Sequence, residues 1–432
     1  MQIRSLYSAP PHDAARSPQP NLQPPNIPLR MWPAIVLTGI GAGLTGGLLM
    51  RLLRVVQHLS FNYRRGAYLS GVEGVPSAHR VLILCAAGIL MGLALLLIRL
   101  IPDHDGPELN KAIWEHDGQL PEESMAVRAL LSIIAVGMGM ALGREAALKQ
   151  GGGLAGLRFS EWFQLTPEQQ KFLVACGTGA GMAAAYNVPL GGALFALEVL
   201  LGNFTLANAL PAFATSFIAT AVSWLLLPNE PTYLLPYLPI TRSLIEWALL
   251  AGPLMGVAAI AFVRGIHWAK ARKPKGAWVV LVPVAVFAVL GLASIPFPEL
   301  LGNGKNVVQI ALEDRLSVNL ILWLVLLRPI AAMACLGSGA PGGLFTPTMT
   351  FGSLVGATLG QAWSYVSPDA DKRAFALVGA GAVLAAATQA PISSIVFALE
   401  LTYNANTLMV PLLIAVVGAT WTYRHFEGRS SN

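Results

Sequence analysis

Three charged side chains, Arg144, Glu145 and Lys149, lie within the stretch ALGREAALKQGGGLAG (141–156), whose surroundings are apolar and studded with glycine. An ionisable residue in an apolar, membrane-like setting is costly, so it marks a functional site by default. A glycine-led helix start exposes backbone N–H groups, and the N-terminus of a helix carries roughly half a positive charge. A carboxylate beside such a start therefore belongs to anion chemistry, because the field that attracts an anion also attracts the carboxylate.

The elements that must position these residues follow from composition. The chain has 432 residues, 55% hydrophobic and 12% charged, with a mean hydropathy of +0.60. A soluble domain carries about twice that share of charge. Apolar runs long enough to cross or nearly cross a bilayer recur at about 33–57, 80–101, 126–142, 205–227, 243–264, 277–296, 317–336 and 408–423. Between them lie shorter apolar pieces near 172–186, 189–201, 345–361, 375–388 and 391–402, each broken by Gly or Pro. That pattern predicts an all-α polytopic membrane protein with broken or re-entrant helices buried inside it.

The chain also repeats itself. CGTGAGMAAAYNVPLGGALFALEVL (176–200) aligns without gaps to VGAGAVLAAATQAPISSIVFALELT (378–402), with 11 identical positions. Gly177/Gly379, Pro189/Pro391, Phe195/Phe397 and Glu198/Glu400 are among them. GREAALKQGGGLAG (143–156) pairs with GLFTPTMTFGSLVG (343–356), which sets Glu145 against Phe345. Two halves, 32–230 and 240–424, are expected to share one architecture, flanked by a disordered tail at 1–31 and a short tail at 425–432. Membrane proteins of this kind are typically transporters or channels whose site lies at the repeat interface.

Arginines near both ends place both termini on the cytoplasmic side by the positive-inside rule. The net charge of +6 is scattered without a basic stripe, which argues against nucleic acid as a partner. Cys85, Cys176 and Cys335 sit in apolar runs as small core residues. His104, Glu108 and His116 lack the spacing of a zinc motif, so no metal is expected.

The motifs carry a family resemblance. GREAA (143–147) resembles the GREGP motif, GSGAPGGLFTP (337–347) the GGxFxP motif, and DGPE (105–108) the end of the GSGIPE motif of the ClC chloride channel and transporter family, over about 32–424. The resemblance implies an inverted repeat of some seventeen or eighteen helices, a homodimer with one anion path per subunit, and no cofactor beyond the transported chloride. It makes Glu145 the gate. It implies an outer anion position lined by the amides of Arg144, Glu145 and Ala146, and a central one lined by those of Leu344 and Phe345. Relatives resembling fluoride exporters have asparagine at Phe345, so chloride is the expected ion.

Several positions depart from the pattern. Ala146 and Ala147 fill the last two places of GREGP. His104 falls where the family has an anion-contacting serine and is read either as an anion contact or as part of a solvated loop. The family's coordinating tyrosine has no match before Asn432, Tyr423 falling too early. Val199 occupies the position of the glutamate that loads protons in the antiporters, and a valine cannot carry a proton. Glu198 precedes it, turned by about 100° on an α-helix, and its symmetry with Glu400 reads as capping or interface hydrogen bonding. The expected function is a passive, proton-uncoupled chloride permease of the inner membrane, with a Cl⁻/H⁺ antiporter as the alternative. An intramembrane enzyme using the polar residues of 103–117 is a remote one, because no nucleophile with an ordered base is visible.

Overall fold

The computed structural model describes residues 27–64, 66–101, 106–367, 371–403 and 407–429. Among them the chain forms seventeen α-helices. The first nine are α1 (Trp32–Phe61), α2 (Tyr68–Gly74), α3 (Ser77–Ile98), α4 (Leu109–Glu115), α5 (Glu122–Gly137), α6 (Glu145–Trp162), α7 (Pro167–Tyr186), α8 (Pro189–Phe195) and α9 (Leu206–Ser223). The remainder are α10 (Arg242–Lys270), α11 (Trp278–Ala293), α12 (Lys305–Leu312), α13 (Val318–Gly337), α14 (Phe345–Trp363), α15 (Lys372–Thr388), α16 (Pro391–Glu400) and α17 (Met409–Arg429). Five helices are long and apolar enough to cross a membrane: Leu29–Phe61, Ser77–Ile98, Leu206–Ser223, Arg242–Lys270 and Val318–Gly337.

Local chemistry sets where these helices start and stop. Thr166 and Gln169 close a reciprocal capping box over the first turn of α7, with Pro167 at its first position. Thr205, Thr241 and Ser317 cap α9, α10 and α13 through their hydroxyls. α7 and α15 both end on a left-handed residue, Asn187 and Gln389, and a proline two residues later begins the next helix. Each chain reversal is followed by a short helix, α8 or α16.

Helix packing follows the same plan in both halves. α6 lies against α7 and α14 against α15; α1 packs on α9 and α10 on α17. At the α6–α7 crossing, a Cβ on Gly152 or Gly177 would run into the other's backbone carbonyl, and Gly352 and Gly379 stand in the same relation between α14 and α15. Glycine lets each pair of backbones approach closely, the usual device of helix contacts in membranes. α3 packs along α11 and α8 along α16, which joins the halves. Large apolar side chains on the outer faces of α3 and α10, including Leu82, Leu93, Leu97, Leu249, Leu254 and Val257, are exposed, as a lipid-facing surface requires.

Helical residues extend a few positions past both ends of 32–424. The tail expected from residue 425 is helical as far as Arg429, because Glu427 on α17 pairs with Arg264 on α10 (2.7 Å) and holds the last turns together. At the other end Leu29–Met31 is a 3₁₀ turn with Met31 fully buried, so the ordered structure begins before residue 32. Most of the expected tail, 1–26, lies outside the described residues.

Candidate functional site

The starts of α6 and α14 meet. Gly143 and Gly343 exchange both backbone hydrogen bonds, 2.8 and 2.6 Å, as an antiparallel pair. Each residue is the other's repeat counterpart, so the pair sits on a local two-fold relation between the halves. Both helices begin two residues later, at Glu145 and Phe345, and the Thr346 amide of α14 meets the buried Glu145 carboxylate. A Cβ at either bridge position would overlap the Glu145 carboxylate where it is seated.

Glu145 is fully buried and reaches across to the other half. Its Oε1 accepts from the Thr346 amide (2.9 Å), from the Tyr186 hydroxyl (2.7 Å) and from the Thr346 hydroxyl. The side chain at the start of α6 thus caps α14, where the helix dipole favours negative charge. Oε2 is buried without a hydrogen-bond partner among the described residues. One oxygen of the carboxylate is held at a helix start while the other is left bare.

Around this spot Arg144 is buried with its guanidinium 4.6 Å from the Tyr186 ring centre. Leu344 and Phe345 are buried at the start of α14, and the Phe345 ring packs edge-on against Phe397 (4.7 Å). Phe397 in turn meets Phe195 at 6.5 Å, and the Lys149 ammonium lies 5.7 Å from the Phe195 ring. Arg144, Glu145, Ala146, Leu344 and Phe345 are therefore brought together; His104 lies outside the described residues. Sequence reasoning missed Tyr186 and Thr346. Thr346 was in view within GGLFTP, but that motif was read for its backbone amides alone.

Val199 is buried in a six-residue π-helical extension of α8, Ala196–Leu201. The expected 100° turn between Glu198 and Val199 assumed α-helix, and the wider π-turn replaces it. Glu198 still faces elsewhere, because its carboxylate accepts from the amides of Ile392 (3.1 Å) and Ser393 (2.6 Å) at the start of α16. Glu400 does the same for α8, through the amides of Leu190 (3.0 Å) and Gly191 (2.6 Å).

The starts of α6 and α14 meet at a buried carboxylate inside an array of largely apolar helices, five of them long and apolar enough to cross a membrane. The comparisons give the family. Residues 87–424 match the family model described as "Voltage gated chloride channel". The chain is 32% identical over 381 residues to the voltage-gated ClC-type chloride channel ClcB of Shigella flexneri, covering 85% of this chain and 89% of the relative. It resembles the structure of a slow cyanobacterial Cl⁻/H⁺ antiporter with a TM-score of 0.81 at 22% identity, over 93% of this chain and 95% of that one. It also resembles a CLC-type fluoride/proton antiporter with a TM-score of 0.75 at 20% identity, over 90% and 93% of the two chains. The chain belongs to the ClC family of anion-transporting membrane proteins.

Proposed function

We propose that the protein is a chloride-selective permease that lets chloride and similar monovalent anions move passively, without stoichiometric proton exchange, and that Glu145 is its gate. The observation that carries this reading is the seat of the Glu145 carboxylate on the Thr346 amide, a negative side chain held at a helix start where an anion would bind. In this reading the ionised carboxylate closes the path by occupying the site, and protonation releases it. The amides of Arg144, Glu145 and Ala146 form the outer anion position, and those of Leu344 and Phe345 the central one. Phe345 at the position of the fluoride exporters' asparagine supports chloride as the ion.

Two features support the uncoupled mode. Val199 has no proton to exchange, and the neighbouring carboxylate of Glu198 is committed to capping α16. The protein acts as a homodimer in the inner membrane, with 32–230 and 240–424 as its repeats, both termini cytoplasmic, and no cofactor or enzymatic step. A second reading, proton-coupled exchange, is favoured by the similar cyanobacterial structure, which is described as a slow Cl⁻/H⁺ antiporter.

Chloride and proton movement recorded together in the same liposomes separates the two readings. With an inward chloride gradient and no proton gradient, chloride should move with no uphill proton flux. Stoichiometric proton movement against its gradient, present in the wild type and lost in Glu145→Gln, would establish the antiporter instead.

A further inference from the structure

We propose that the hydroxyls of Tyr186 and Thr346 are the side-chain half of the anion position at the start of α14. They hold the Glu145 carboxylate while it is seated and donate to a small monovalent anion once it leaves. This rests on reading Glu145 as the gate, and it supplies hydroxyl donors from two positions that no expected motif role covers.

The geometry is that of a cup. The Thr346 amide, the Thr346 hydroxyl and the Tyr186 hydroxyl converge on the single oxygen Oε1 of Glu145, and the two hydroxyls lie 2.9 Å from one another. Neutral donors aimed at one point suit a monovalent anion, which they stabilise without trapping it as a fixed cation would. Tyr186 is held there firmly. Its carbonyl accepts from the Thr232 hydroxyl (2.9 Å), its ring lies under Arg144, and Asn187 beyond it is fixed by Trp224 (2.9 Å) and Asn229 (2.8 Å).

Among the described residues, the mirror position at the start of α6 has no such cup. The repeat counterparts of Thr346 and Tyr186 are Ala146 and Thr388, and the Thr388 hydroxyl donates to Leu384 within its own helix (2.8 Å). The hydroxyl pair thus belongs to one helix start only, the one that Glu145 occupies. The charged and titratable groups acting on this spot are Arg144 just before α6, Lys149 of α6 and Tyr233 of the segment after α9. Arg54 of α1, Lys305 of α12 and Glu230 join them around Arg144.

Chloride binding to the purified protein, measured by titration calorimetry in the Glu145→Gln background, tests the proposal without the competing carboxylate. Adding Tyr186→Phe or Thr346→Ala should weaken chloride affinity about 10-fold each, the effect of one hydrogen bond to a charged group, and Thr346→Ser should restore it. Unchanged affinity in both variants would make the pair a structural strut and overturn the proposal. With Glu145 present, Tyr186→Phe should move the pH midpoint of chloride flux upward by about one unit, because the carboxylate loses a donor. A midpoint that stays put or moves down would count equally against it. If Glu145→Gln itself left the pH profile of flux intact, the gate reading would fail, while the affinity series would still judge the hydroxyl pair.

Discussion

Among the described residues, three glutamates cap a helix belonging to the opposite half, and they do so in two different ways. Glu198 and Glu400 cap α16 and α8 reciprocally, each the repeat counterpart of the other, with both oxygens engaged. Glu145 caps α14 alone: Phe345 stands in the mirror position, and one carboxylate oxygen has no partner among the described residues. Where the two-fold relation is kept, the carboxylates fasten the halves together. Where it is broken, one carboxylate is held by donors that could serve an anion equally well. The proposed gate is thus the cap held by one oxygen, and the two caps held by both are its fixed counterparts.

The largest expected effect lies with the symmetric pair. Replacing both Glu198 and Glu400 by alanine leaves two helix starts with orphaned amides and should cost about 2–6 kcal/mol, at about 1–3 kcal/mol for each unsatisfied end. Thermal melting of the purified protein would report this as a clearly lowered midpoint. Glu145→Gln should change the melting point far less, by the equivalent of under about 1 kcal/mol, because the donors it vacates at the start of α14 can turn to an anion or to water. A gate variant as damaging as the double cap variant would erase the distinction.

The smallest effect is expected at an ordinary, partly exposed cap. Asp371 starts α15, accepts from the Arg373 amide (3.0 Å) and pairs with the Arg373 guanidinium (2.6 Å), which holds its carboxyl below the usual carboxylate range. Its folded-state value is depressed, so its contribution is present above the unfolded value of about 3.9 and is lost as pH falls through the folded one. Asp371→Asn should lower the melting midpoint only slightly at neutral pH, and the difference should start to shrink below about pH 4 and be gone once the pH lies below the lowered folded value. A gap that persisted in acid would place the effect in packing rather than charge.

Helix positions were legible because apolar runs and breakers are local signals. The pieces read at 172–186 and 391–402 correspond to α7 (Pro167–Tyr186) and α16 (Pro391–Glu400), whose prolines and left-handed ends stand in the sequence. The convergence of the starts of α6 and α14 was legible too, through the pairing of Glu145 with Phe345. Tyr186 was not, because it meets Glu145 only through the crossing of α6 and α7, a contact spanning 41 residues that no spacing rule encodes. The π-turn at Ala196–Leu201 was equally hidden, since FALEVL reads as ordinary α-helix. His104, placed by alignment alone, lies outside the described residues.

Chloride flux into liposomes as a function of pH, compared between the wild type, Glu145→Gln and Glu198→Gln, tests the movable gate most directly. The wild type should conduct more as pH falls, and Glu145→Gln should lose most of that dependence while conducting at neutral pH. Glu198→Gln should keep the wild-type profile. A pH profile that survives in Glu145→Gln, or disappears in Glu198→Gln, would contradict the assignment of the gate to the one cap that breaks the symmetry.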